Sequence, residues 1–472
     1  MALGVSLFLV SVESVSAAQC QQRRKLASNI GSQKRVRKEV RKLTILEWNR
    51  VVTGIHIMKF TSQEDGIRKY GPYFRSFDSL VAQHATAALT ASGDAAHFAP
   101  VFPIYHRAWT QIFENALLSV DPRIPGLPYW NFALDIPSMQ GDNSNKNKKT
   151  VFSTEYFGST GNAENDFVVT DGRFAYWPIS NDTKQFGLDW SSPFGLLRSP
   201  VSVNRAPFVT RRLGSLCGVR FDLGDPTAYS RCTNLRNPDI SAFRQCVDPT
   251  LHGPAHLFVG GSWKRDSQKG LPDSLNCAQW IGQIRPQLDN NTRLPKKPFV
   301  LGSFVNAYTA GCLVCSQDDN KCDLLENPDS CVCVRKDPTP KSCGPLWTGL
   351  ADRKDDFGVT LAPCSEQQII GDFVDATTSP NDVIFAFHHS NLDRVFTNWM
   401  AGFEPEDLDT TEYFGYPQTG YGYGGNLDDT LNPEWPMVHL IVDPSEDHSN
   451  PKKWTARNVF EATYPTSRAP YV

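Results

Sequence analysis

This chain has no apolar run long enough to cross a bilayer and almost no excess of either charge, and its histidines are few. The most apolar stretch, residues 3–12 (LGVSLFLVSV), falls well short of the ~20 residues that a membrane helix needs. It reads instead as the core of a signal peptide, with small-residue cleavage sites at Val15-Ser16-Ala17 and Ser16-Ala17-Ala18. The lack of Lys or Arg before it and the intrusion of Glu13 depart from the usual pattern. No stable membrane span is expected elsewhere. With 47 Lys+Arg against 50 Asp+Glu, the net charge is only −3. That leaves no positive field to hold a phosphate backbone, and a nucleic-acid partner is excluded. At 40% hydrophobic and 11% aromatic over 472 residues, the chain can bury a large core as one large domain or two.

Zinc-type cysteine pairs are also scarce. Twelve cysteines are present, and six of them (Cys312, Cys315, Cys322, Cys331, Cys333, Cys343) crowd into one short stretch. Cys312-x2-Cys315 alone offers a zinc half-site, and too few such pairs follow it. Disulfides along the secretory route are the better reading. The order of the six, with Cys331-x-Cys333 before a longer final gap, resembles an EGF-like knot, although its first gap of two residues is short for that family. Cys217, Cys232, Cys246, Cys277 and Cys364, with Cys20 as a sixth, are left to staple neighbouring loops. Asn181-Asp182-Thr183 and Asn290-Asn291-Thr292 are glycosylation acceptors.

Ten histidines in such a length make any clustering informative. His97 and His106 lie nine residues apart and on one straight helix would point about 180° from each other. Pro100 and Pro103 prevent that helix. His97 is therefore expected on a loop, with a helix starting near Ile104 that buries Trp109, Ile112, Phe113, Ala116, Leu117 and Val120. In residues 77–91, His84 shares a helical face with Phe77, Leu80, Val81 and Ala88. His252 and His256 form an i,i+4 pair; Pro254 should confine His252 to a first helical turn, and Gly260-Gly261 marks the stop. In residues 379–400, Asp382 is the expected N-cap of a helix burying Phe385, His389, Leu392, Phe396 and Trp399. His388 falls off that stripe, as His56, His439 and His448 fall outside buried patterns. Asp393, one turn beyond His389, is placed to hold its second ring nitrogen. Six imidazoles in two groups of three suit copper, zinc, iron or nickel. Zinc usually adds a carboxylate or thiolate, and a lone three-His zinc site would leave three of these histidines idle.

His97-x8-His106-Arg107 in an F-P-x-Y-H-R context, then His252-x3-His256 and N-D-x-I-F-x-x-H-H-x-x-x-D-R, resemble the two copper signatures of the tyrosinase family. Residues 127–135 (LPYWNFALD) and 424–436 (GGNLDDTLNPEWP) also look like that family. Its members are type-3 copper proteins: tyrosinases, catechol oxidases and molluscan-type haemocyanins. The resemblance covers roughly residues 40–260 and 365–436. It implies two copper ions, one held by His84, His97 and His106 and one by His252, His256 and His389, with dioxygen between them and phenolic small molecules as substrates. The implied fold is mainly α, a four-helix bundle around the binuclear site, with loop-rich surroundings and a small disulfide-rich insertion.

The organisation expected from these marks is a signal peptide over residues 1–18, a solvated basic lead-in over 19–43, and a copper domain in two parts, 44–309 and 346–436. A cysteine-rich EGF-like insertion (310–345), which offers a surface for a protein partner, separates the parts, and a tail (437–472) follows. Thr44-x-x-Glu47 is a capping box for a first helix through about Lys59. Residues 136–245 read as loops and short strands. No internal repeat is evident beyond a rough likeness of the two copper halves. Family members that hydroxylate monophenols often carry Asn after the first histidine of the second site, with a Glu nearby; here Gly253 and Phe243 stand there. A thioether-forming Cys is replaced by Ala95, and the region where plant-type enzymes place a bulky Phe falls near Ala376, so an open pocket is expected. The expected function is a secreted copper polyphenol oxidase acting on o-diphenols. The alternatives are a haemocyanin-like oxygen carrier and a secreted matrix or adhesion protein with a vestigial site.

Overall fold

The computed structural model describes residues 35–88, 96–97, 101–136, 150–264 apart from several single and paired positions between 189 and 225, 313–316, 332–335, 368–403 and 460. The signal peptide, the cysteine knot beyond two short strands, Asn290, the C-terminal family stretch and nearly all of the tail lie outside the described residues.

Eight helices carry the described core: α1 (Ile45–Phe60), α2 (Gln63–Tyr70), α3 (Phe77–Ala88), α4 (Phe102–Val120), α5 (Ala228–Thr233), α6 (Ile240–Val247), α7 (Gly253–Gly260) and α8 (Ile384–Met400). α1 begins where Thr44 accepts from the Glu47 amide and the Glu47 carboxylate accepts from the Thr44 amide. It buries Trp48, Val51, Val52, Ile55 and Met58 at three- and four-residue spacing. α4 packs against both α1 and α8. With partners on two sides it buries more than one stripe: Ile104, Tyr105, Ala108 and Leu118 are inside, while Ile112 is only half-buried. α8 is buried nearly all round for the same reason.

Strands are short. β1 (Ser215–Leu216) pairs antiparallel with β2 (Val219–Arg220), β3 (Ser262–Lys264) with β6 (Gln368–Ile370), and β4 (Leu313–Ser316) with β5 (Val332–Arg335). The β3/β6 ladder sets Trp263 opposite Ile369, so the chain leaves α7 and returns toward α8 at neighbouring points. Within residues 136–245 the loops and short strands are joined by two unforeseen helices, α5 and α6, which the Cys232–Cys246 disulfide ties together.

The basic lead-in is not fully solvated. From residue 35 it runs extended along residues 125–129, with Val40 N donating to Tyr129 O and Tyr129 N to Lys38 O. Extended backbone sends alternate residues to one face, and Arg35, Arg37 and Glu39 turn inward. Arg37 bridges Glu114 on α4 (2.9 Å) and Asp393 on α8 (2.7 Å), while Arg35 adds a second cation to Glu114 (2.7 Å). These buried carboxylates, unseen in a local pattern, pull the arginines in. Burial alone would raise the Glu114 pKa, but the charges of Arg37 and Arg35 override it and bring it down to about 2.

A depressed carboxylate stabilises the fold above its unfolded pKa and loses that contribution as pH falls through the folded value. Unfolding stability should therefore decline between about pH 4.5 and 2 in part through Glu114. Denaturant titrations across that window should show a shallower acid slope for Glu114→Gln, together with lower stability at neutral pH. An unchanged slope would remove Glu114 from the acid response.

Candidate metal centre

His84 on α3, His97 before α4 and His106 in the first turns of α4 form one buried group, each offering a nitrogen within 4.8 Å of the others. Two of these rings are oriented by backbone carbonyls. His84 Nδ1 donates to Thr377 O and His106 Nδ1 to Phe102 O, both at 2.9 Å. Those bonds assign the proton to Nδ1 in each ring, which makes both Nε2 atoms acceptors. The two Nε2 atoms are nonetheless 3.3 Å apart. Facing lone pairs gain nothing from each other, but about 3.3 Å is the edge of a tetrahedron of nitrogens around an ion with ~2.0 Å bonds.

The second group draws on α7 and α8. The helix does not begin anew at His252, as Pro254 had suggested. Instead α6 runs through a π-turn (Asp248–His252) straight into α7, with Gly253 N donating to Asp248 O. A wide turn accommodates the missing N–H of Pro254 without a break, and such bulges are frequent at functional sites. His252 Nδ1 donates to Asp248 Oδ1 and His256 Nδ1 to Phe373 O, each at 2.7 Å, while both Nε2 atoms are buried with no partner. Gly261, at φ +63°, ends the run in a conformation that suits glycine.

Two expectations about α8 need correction. His388 is fully buried and stands with His252, His256 and His389 in one group of nitrogens within 4.8 Å. It falls off the α8 stripe but inside, because α8 is covered on that side too. Asp393 does not hold His389: its carboxylate is taken by Arg37 and by Arg107 (2.5 Å), and neither nitrogen of His389 has a partner. Two guanidiniums outcompete one neutral ring for a buried anion. The carboxylate that does orient a ligand is Asp248, which the sequence reading missed. The same four-residue spacing that pointed to Asp393 was present in Asp248-Pro-Thr-Leu-His252. Arg107 pairs with Asp393, and Arg394 lies over Tyr129 and Tyr229 and donates to Asn391.

The groups adjoin. The His389 ring lies parallel to His106 at 4.1 Å, and Phe102 touches His106 and His252 at 4.6 Å each. Phe385 fills the other side against His84 (5.0 Å) and His389 (4.2 Å). Burial, reinforced by neighbouring imidazoles, pushes His106, His256, His388 and His389 well below the usual histidine range and lowers His252 as well. Neutral imidazole is the ligating form. Oriented tautomers and converging buried nitrogens in the first group, and orphaned nitrogens with lowered pKa values in the second, fit a transition-metal ion in each.

Phe243 stacks on Trp399 inside the core, so no carboxylate stands at that point. Gly253 has helical φ, and a Cβ there would meet only Asp248 O at 3.1 Å. No ring stands at Ala376, which is half-buried, but Phe373 lies flat against His256 at 4.4 Å. Ala95 lies outside the described residues.

Asp248→Asn should weaken metal binding at the second group by about 10–100-fold, since it loses the charge that orients His252. Competition titration with a chromophoric chelator measures it; wild-type affinity in the variant would show that Asp248 serves only Arg244.

The family description "Common central domain of tyrosinase" matches residues 74–274 and 332–402. A tyrosinase of Streptomyces antibioticus is 30% identical over 241 residues, which are 48% of this chain and 72% of that protein. A tyrosinase of Streptomyces lincolnensis is 28% identical over 237 residues, 46% of this chain and 74% of that protein. Among solved structures, a polyphenol oxidase variant of Thermothelomyces thermophila aligns over 96% of this chain and 97% of its own at 17% identity and a TM-score of 0.42. All six histidines that first marked the sequence, and His388 with them, fall inside the matched residues, and the chain belongs to the tyrosinase family.

Proposed function

We propose that this chain is a secreted copper-dependent polyphenol oxidase that uses dioxygen to convert o-diphenols to o-quinones. The observation that carries the reading is the pair of adjoining, buried imidazole groups, in the second of which the Nε2 atoms of His252, His256 and His389 meet no partner. Two copper ions held there, one by His84, His97 and His106 and one by His252, His256 and His389, supply the redox chemistry with dioxygen. In balance, two diphenols each give up two electrons and two protons, and one dioxygen becomes two waters. The protein's part is placement and exclusion. Phe102, Phe385 and Phe373 keep water from the rings, and Asp248, Phe102 O, Phe373 O and Thr377 O fix their orientation. We read α3, α4, α7 and α8 as a four-helix bundle because each delivers its histidines to one buried place. The Cys232–Cys246 disulfide and the exposed Asn181 acceptor support an oxidising, secretory route. Among the described residues no helix is long and apolar enough to cross a membrane.

Diphenols should be oxidised much faster than monophenols. A monophenol needs a phenolate, normally helped by a positioned base, and neither Gly253 nor the core-stacked Phe243 supplies one. Initial rates on dopamine and tyramine decide the point, and Gly253→Asn should raise the tyramine rate relative to dopamine. Equal wild-type rates without a lag would defeat the argument. An oxygen-dependent near-ultraviolet band without turnover would instead indicate an oxygen carrier, and failure to bind copper a vestigial site.

We read residues 310–345 as a self-contained disulfide-rich insertion, with Cys315 opposite Cys333 in the β4/β5 ladder. Because β3 and β6 already bring the flanking chain together, deleting 310–345 should leave two copper ions per chain by atomic absorption. Loss of either ion would mean that the insertion supports the site.

A further inference from the structure

We propose that the cavity where α5 packs on α8 is a second binding site, for a small aromatic carboxylate bearing a ring hydroxyl, apart from the histidine groups. The cavity holds about 290 Å³. That is at the low end of the ~300–1,000 Å³ of small-molecule sites, so one substituted ring fills it. α8 contributes Arg394, Val395 and Asn398, α5 contributes Tyr229, and the chain leaving Trp130 contributes Asn131 and Ala133. Arg394 stands five residues beyond His389, about 140° round the helix, so this face of α8 is turned away from that imidazole.

The charge in this cavity lacks a counter-ion. Arg394 is half-buried, and its Nε donates to Asn391 Oδ1 at 3.1 Å. Among the described residues no carboxylate pairs with it. Its guanidinium lies over the rings of Tyr129 (4.9 Å) and Tyr229 (5.5 Å). Stacking fixes the guanidinium plane and leaves the terminal N–H groups at its edge for an acceptor, and a carboxylate takes two such groups in parallel. The Tyr229 hydroxyl accepts from Asn391 Nδ2 at 2.5 Å, and its own proton meets no acceptor. Asp135, an acid whose charge reaches Tyr229, is already paired with Arg41 at 3.0 Å.

The remaining wall selects a ring over a bare inorganic anion. Ala133, Val395 and the Tyr229 ring present apolar surface that sulfate or phosphate would leave uncovered. Asn131 Oδ1 is buried without a partner, which suits a donor such as a ring hydroxyl, and the exposed Asn398 amide can serve either oxygen. Few polar groups on a largely apolar wall are what orients a small ligand.

The test is calorimetric titration of the full-length chain with 4-hydroxybenzoate under nitrogen, so that no oxidation contributes. Saturable binding is expected, and 4-hydroxybenzyl alcohol, which keeps the ring and loses the charge, should bind at least tenfold more weakly. Asn398→Asp places a carboxylate four residues from Arg394 on the same helix face, where it can take the guanidinium itself. Asn398 is exposed, so this variant should fold; it should weaken 4-hydroxybenzoate binding at least tenfold, as should Arg394→Gln. Tyr229→Phe should weaken it severalfold. No saturable binding by the wild type, or equal binding of the neutral alcohol, would overturn the proposal. So would binding that Asn398→Asp leaves unchanged, because the ring would then sit elsewhere, as at the histidine groups.

Discussion

Seven imidazoles withdrawn from water, several with ring nitrogens that meet no partner, set the terms for the rest of this molecule. Each orphaned buried nitrogen costs about 1–3 kcal/mol, and six such atoms belong to His252, His256, His388 and His389. Apolar packing around Phe102, Phe385 and Phe373 cannot return that cost, because a phenyl ring accepts no conventional hydrogen bond. An ion can. Metal binding and folding are therefore linked, and ligand affinity appears directly as stability of the native state.

Holding neutral rings in place without water demands rigid supports, and buried ion pairs provide them. Asp393 joins Arg107 of α4 to Arg37 of the extended N-terminal segment, so the helices that carry His106 and His389 are clasped from outside the ligand set. Arg198 pairs with Asp372 and Arg211 with Asp382, at the two ends of the segment that feeds α8. Such pairs gain little net stability, since desolvation offsets their attraction. Breaking one leaves a naked charge inside, which makes the arrangement hard to deform.

Much of this was legible in the sequence where local rules apply. The prolines around His97 required a loop before α4, Thr44-x-x-Glu47 marked the start of α1, and the family signatures followed from residues in order. What escaped depended on contacts distant along the chain. Periodicity places His388 off the α8 stripe, but a helix covered on nearly every side has no outer face for that rule to find. Asp393 had the spacing of an orienting carboxylate, and two arginines from remote segments claimed it. Asp248 had the same spacing and lacked a rival strong enough to take it from His252, although Arg244 also reaches it. The lead-in read as solvated because Glu114, its buried counterpart, lies on a helix that its own neighbourhood does not reveal.

The segment from Phe373 to Thr377 binds the two groups into one unit. Its first carbonyl orients His256 of the second group and its last orients His84 of the first. Asp375 between them accepts from the Thr377 amide and the Thr378 hydroxyl, which fixes the spacing of those carbonyls. The same strap is pressed onto the end of α7, where a Cβ on Gly260 would come within 2.5 Å of Val374. Chain returning through β6 must enter this strap in register, and β3 supplies that register three residues earlier. A long excursion between the two parts of the second histidine group is thus tolerable on physical grounds. Loop closure costs grow only slowly with length, and the ladder, rather than the excursion, determines where the carbonyls meet the imidazoles.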